Sequence, residues 1–157
     1  MVFLFLPSNI ACNIPQLVKQ LSQVLFLPSL PGLISCFFYE QLNPGLTIPV
    51  EEILLSKCPS YMGKVFLYPL AMAMYYAPSN ISGLGGMFHE RIWSVFFWHG
   101  SSQWQDCVFI TQDEDIPGFQ GLLIGQVLAF LKLKHEGTSY PVASSPGLKP
   151  LEVHHVH

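Results

Sequence analysis

A chain of 157 residues that is 50% apolar and only 11% charged has every reason to collapse. An ordinary soluble domain carries roughly 25% charged residues, so disorder is excluded. Thirteen prolines and twelve glycines exclude a coiled coil or a clean helical bundle. A formal charge of −3, with Arg91 the single arginine, argues against strong nucleic-acid binding, which needs clustered cations against the phosphates.

In chain order, Asn13 reads as a helix cap with Pro15 in the first turn. Leu17, Val18, Leu21, Val24 and Leu25 follow at helical spacing until Leu27-Pro28. Ser29 reads as the cap of a second helix. Leu33, Ile34, Phe37, Phe38 and Leu42 lie on its inner face, and Asn43-Pro44-Gly45 ends it. The pair reads as a helical hairpin with one apolar seam. Lys64 to Tyr76 fits either a strand entering a helix or a helix broken at Pro69, and periodicity does not decide between them. Met87 to Phe97 is mixed and reads as beginning in a helical turn.

The second half reads as β. Asp106 to Thr111 is a short strand ending in an acidic turn, and Leu122 to Leu133 is favoured as a strand. The turn at His135 to Ser139 returns it into Tyr140-Pro141-Val142-Ala143 as a hairpin, after which the chain becomes tail-like. The fold class expected is α+β: a short N-terminal helical hairpin followed by a small, incomplete antiparallel sheet or open barrel. Residues 1–12 form an apolar segment, 13–143 a single domain and 144–157 a disordered tail.

The apolar start ending at Pro7 is too brief for a secretory signal, so an intracellular location is favoured over secretion. Residues 21–38 are the best membrane candidate. Pro28, Pro31 and Gly32 interrupt them, which favours two short buried helices over a span of about 20 residues. Cys12, Cys36, Cys58 and Cys107 have no paired spacing and read as small, mostly buried hydrophobes in a reducing compartment.

The chemistry-bearing motifs are weak. Gly83-Leu84-Gly85-Gly86 matches neither phosphate-loop pattern and reads as a flexible loop. His154, His155 and His157 suit adventitious metal binding more than a built site. Asp113-Glu114-Asp115 lacks the carboxylate order of a calcium loop and reads as a solvated turn. Cys107, His89, His99 and Asp106 could be drawn into a triad, yet no nucleophile-elbow pattern surrounds a cysteine or serine. Trp93, Trp98 and Trp104, with Phe96 and Phe97, could stack bases, but aromatics at this density are more often core. No catalytic, cofactor-binding or metal-ligating residue is assigned.

Several phrases occur in a familiar order. They are Leu30-Pro31-Gly32-Leu33-Ile34 with Phe38-Tyr39-Glu40-Gln41-Leu42-Asn43-Pro44, Cys58-Pro59-Ser60-Tyr61, and Tyr76-Ala77-Pro78-Ser79-Asn80 with Gly85-Gly86-Met87 and Glu90-Arg91-Ile92. Asp106-Cys107-Val108-Phe109-Ile110, Pro117-Gly118-Phe119-Gln120-Gly121-Leu122 and His135-Glu136-Gly137 continue the order. Across residues 13–143 the chain resembles the C-terminal region of Plavaka-type transposon-encoded proteins of mushroom-forming fungi. In that family the catalytic transposase core lies upstream, and this region has no established activity, so no functional residue is carried over.

The sequence also departs from the family pattern. Trp93 stands where the family has a basic residue, Gln126 where it has arginine, and Val142 to Gly147 replace a C-A-L-V-H-W phrase. The resemblance therefore implies a truncated, frameshifted or mis-spliced copy. Its expected role is a non-catalytic remnant or accessory binding region, with other regions of the parent transposase as partners. No cofactor and no small-molecule substrate are expected. The alternatives are a small membrane-associated protein held by residues 21–38 and a small Cys/His-dependent enzyme. A sheet that stops at Ala143 would leave Leu123 to Leu133 as an open apolar edge.

Overall fold

The computed structural model describes residues 2–6, 12–49, 52–76, 86–98, 100, 102–111, 115–144 and 151–152. Among the described residues the fold is α+β, with two α-helices near the N-terminus followed by small antiparallel sheets, none of them closed into a barrel. The helices are α1 (Val18–Val24) and α2 (Leu30–Leu42). The strands are β1 (Val2–Phe5), β2 (Cys12–Leu17), β3 (Lys64–Tyr68), β4 (Leu70–Tyr76), β5 (Met87–Trp98) and β6 (Ser102–Gln105). They continue with β7 (Cys107–Thr111), β8 (Leu122–Gln126), β9 (Ala129–His135), β10 (Thr138–Ser144) and β11 (Leu151–Glu152).

The helical hairpin is present, but α1 starts later than its spacing suggests. Cys12–Leu17 is a strand paired with β3, so Asn13 and Pro15 lie in a sheet and Leu17 holds the cap position of α1. Pro15 falls where the register shifts between Cys12 and Gln16. A bulge or irregularity is where a strand tolerates proline, because no ladder hydrogen bond is demanded of it there. Phe26 makes the turn between the helices with φ +50, a conformation that costs a bulky residue energy. Ser29 occupies the cap position of α2 without a side-chain cap bond, and Pro31 sits in the first turn. Asn43 closes α2, its Nδ2 donating to Tyr39 O at 2.9 Å.

The two helices share one apolar seam, as expected. Val18, Leu21 and Leu25 of the first pack with Leu30, Ile34, Phe37 and Phe38 of the second. Leu17, Val24 and Leu42 are exposed instead. Leu17 belongs to the strand, and the short α1 has room for only a narrow buried stripe.

A five-stranded sheet, in the order β11-β10-β9-β3-β2, lies beneath the helices. Strand periodicity assigns its faces. Val65, Leu131, Leu133 and Val142 turn toward the helices, while Tyr68, Phe130 and Ala143 turn away to a second cluster with Leu6, Ala71 and Val127. Phe130 and Leu133 are fully buried, and each such side chain contributes about 1.5–3 kcal/mol of transfer free energy. The hairpin of β9 and β10 turns through Glu136 and Gly137, both at positive φ, as a two-residue turn matched to strand twist requires.

Four corrections concern the β half. Lys64 to Tyr76 is two strands in different sheets, divided at Pro69, rather than any helix. Met87–Trp98 is one long strand without a helical start, because pairing along β4 satisfies its backbone. Leu122 to Leu133 is two strands, β8 and β9, split at Val127-Leu128. The open-edge expectation fails for β9, which is sandwiched between β10 and β3. Beyond β10, Leu151 and Glu152 pair with Ala143 and Val142, within the segment read as a tail.

The remaining sheets are β1-β4-β5-β6 and the ribbon β7-β8. Consecutive strands carry the chain from sheet to sheet at Pro69, at Asp106 and at Val127-Leu128. Side chains and backbone groups lock these corners. Ser94 N–H donates to Pro69 O, Asp106 N–H to Trp93 O, and Val127 N–H to Asp106 O. The buried Ser94 hydroxyl reaches Leu128 O at 2.7 Å.

Candidate functional site

Two concavities carry polar chemistry. The larger, about 580 Å3, runs along β4, β5 and β7, with Tyr75, Glu90, Arg91, Asp106, Cys107 and Phe109 among its walls. It brings together two members of the triad drawn from sequence, Cys107 and Asp106, which are adjacent in the chain. Asp106 is occupied: its Oδ2 accepts Trp93 N–H at 2.7 Å and its Oδ1 accepts the Trp104 indole N–H at 3.0 Å. This carboxylate is a corner clamp, since charge-assisted bonds to two donors fix β5 against β6. His89 sits on β5 opposite Met74 and is not among the groove's walls. His99 lies outside the described residues.

The cysteines depart from expectation. Cys107 is exposed, and Cys36 and Cys58 are half-buried, so none of the three is a sealed core residue. The tryptophans divide as well. Trp104 is 51% exposed and tied to Asp106 through its indole, while Trp93 is half-buried on β5. The side chains of Phe96, Phe97 and Trp98 lie outside the described residues, as do Gly83 to Gly85, Asp113, Glu114 and the terminal histidines. Among the described residues no group of three or more His, Cys, Asp or Glu side chains is placed to hold a metal. No described helix is long and apolar enough to cross a membrane; residues 21–38 are shared between α1 and α2.

The smaller concavity, about 270 Å3, lies where α2, the approach to β3 and the β9–β10 turn meet. Its aromatic wall is built from side chains distant in sequence. Phe38 stacks on Tyr61 with ring centroids 5.0 Å apart and an interplanar angle of 11°. His135 tilts against Phe38 at 5.3 Å, and Tyr140, outside the lining, meets Phe38 edge-on at 5.4 Å. Such offset and edge contacts contribute about 0.5–1.5 kcal/mol each beyond area burial.

Tyr61 is held at both ends. Its hydroxyl oxygen accepts Lys134 N–H at 3.0 Å, and its proton lies within reach of Lys134 O at 2.9 Å and Lys64 O at 3.0 Å. One hydroxyl thus caps the β9 backbone just past the last β3–β9 pair, Val65 with Leu133. Burial pushes the phenol's pKa up, against the opposing pull of the Lys134 backbone bond. Glu136 lines the rim, its Oε1 lying 4.0 Å from His135 Nε2. The aromatic wall carries no local signal, because its members lie between positions 38 and 135. Only the Glu136-Gly137 turn, which places His135 at a hairpin end, is legible in sequence.

No family model matches the chain, and no curated protein or solved structure shows significant similarity to it.

Proposed function

We propose that this chain is a non-catalytic binding region, derived from the C-terminal part of a transposon-encoded protein, whose partner is another region of the parent transposase. The observation that carries the reading is the commitment of Asp106. Its two carboxylate oxygens serve Trp93 and Trp104, so the acid beside Cys107 holds a corner together instead of orienting a general base. A binding role also agrees with the β7–β8 ribbon. Phe109 and Ile124 face each other across it, and both are exposed, with Phe119 beside Phe109. Clustered exposed apolar side chains mark interaction surfaces.

Genomic sequence for several kilobases on both sides tests the origin. An upstream transposase frame is the expected result, and its absence would remove the proposed partner. Co-expression with that upstream region tests the role. Co-purification that weakens in Phe109→Ser is expected, whereas turnover of any substrate that disappears in Cys107→Ser would overturn the non-catalytic reading.

A further inference from the structure

We infer that the concavity beside the β9–β10 turn is a binding site for an alkylammonium group. This goes beyond the accessory role above and does not depend on it. Three observations converge. The walls include two half-exposed aromatic rings, Tyr61 and His135, each packed against the buried Phe38. A cation is attracted to the faces of such rings by their quadrupole. The rim supplies a carboxylate, Glu136, which is 84% exposed and only loosely engaged at 4.0 Å from His135.

The third observation concerns the charge that would oppose a cation. Lys134 also borders the cavity, but its Nζ lies 5.1 Å from the centroid of the Phe66 ring. Phe66 alternates with Val65 and Leu67, which pack under the helices, so its ring lies on the opposite face of the sheet. What Lys134 presents on the cavity side is backbone, already bonded to the Tyr61 hydroxyl. The cavity therefore joins aromatic rings to one carboxylate, and the ammonium of its lining lysine is turned away. Choline-like amines and lysine side chains share the chemistry that fits it.

The test is an NMR titration of the whole chain with choline, with its uncharged carbon isostere dimethylbutanol, and with N-acetyl-lysine methylamide. Saturable shifts of the Tyr61 and His135 ring resonances with either ammonium, absent with dimethylbutanol, are expected. Glu136→Gln should weaken binding about threefold, the range of an exposed ion pair, and Glu136→Lys should abolish it. Both changes fall on an exposed turn, and thermal melts of each variant verify that it is folded. Tighter binding of choline assigns a free quaternary amine, and tighter binding of the lysine amide assigns a peptide side chain. Equal shifts with dimethylbutanol, or binding indifferent to Glu136→Gln, would overturn the inference.

Discussion

Ser94 and Leu128 stand 34 positions apart, yet the Ser94 hydroxyl donates to the Leu128 carbonyl at 2.7 Å, joining β5 to the break between β8 and β9. The same carbonyl also accepts Gln105 Nε2 at 3.2 Å. Ser94→Ala should therefore cost about 1 kcal/mol, since one of two donors is lost. Ser144 is the opposite case. It is buried, and among the described residues its Oγ has no hydrogen-bond partner. Ser144→Ala should be neutral or stabilising by up to about 1 kcal/mol, because an unsatisfied polar group is removed. Urea unfolding of both variants checks the contrast, which fails if the two lose stability equally.

Tyr61→Phe removes the hydroxyl that completes the β9 backbone at Lys134 and should cost about 1–2 kcal/mol. It should also change the alkaline limb of stability. Burial raises the folded phenol's pKa above its ordinary 10.0, so the folded state holds this proton more tightly than the unfolded chain. Its contribution is fully present below about pH 10 and is lost as pH rises through the folded value. The difference in stability between the native chain and Tyr61→Phe should shrink above that point. A constant difference would contradict the linkage.

Asp106→Ala strips acceptors from Trp93 N–H and the Trp104 indole N–H and should cost about 2–3 kcal/mol. Asp106→Asn keeps the shape and should lose less. Thermal melting of the two ranks them, and an Asp106→Ala variant as stable as the native chain would show that the clamp contributes nothing.

Cys107 is exposed, whereas Cys36 and Cys58 are half-buried. Iodoacetamide should therefore alkylate Cys107 ahead of the other two, as followed by peptide mass spectrometry. Prior labelling of Cys36 would require the α2 face to open.

The β7–β8 ribbon should drive self-association of the isolated chain. Phe109 is 62% exposed, Phe119 79% and Ile124 69%. Ile124→Lys puts a charge within that patch and should sharpen the monomer peak in size-exclusion chromatography. An unchanged profile would place the sticky surface elsewhere.

Local physics determined the parts of this fold that need few partners. The α2 helix, its stop at Asn43 and the β9–β10 hairpin with its Glu136-Gly137 turn are all legible, because caps, breakers and turn residues act within a few positions. The α+β class follows from the same signals.

Tertiary structure decided the rest. Asn13 and Pro15 look like a helix start, yet pairing with β3 makes that segment a strand. Lys64 to Tyr76 and Met87 to Trp98 are strands because β9 and β4 satisfy their backbones, and no property of the segments themselves dictates it. The same holds for the candidate sites. Asp106 can be drawn into a triad on paper, and only the packing shows its two oxygens committed to the Trp93 backbone and the Trp104 indole. The wall of Phe38, Tyr61 and His135 exists only where α2, the approach to β3 and the hairpin meet. Ring contacts between residues so far apart leave no periodic trace in the chain, because sequence spacing records neighbours along a strand or helix and not those brought together by packing.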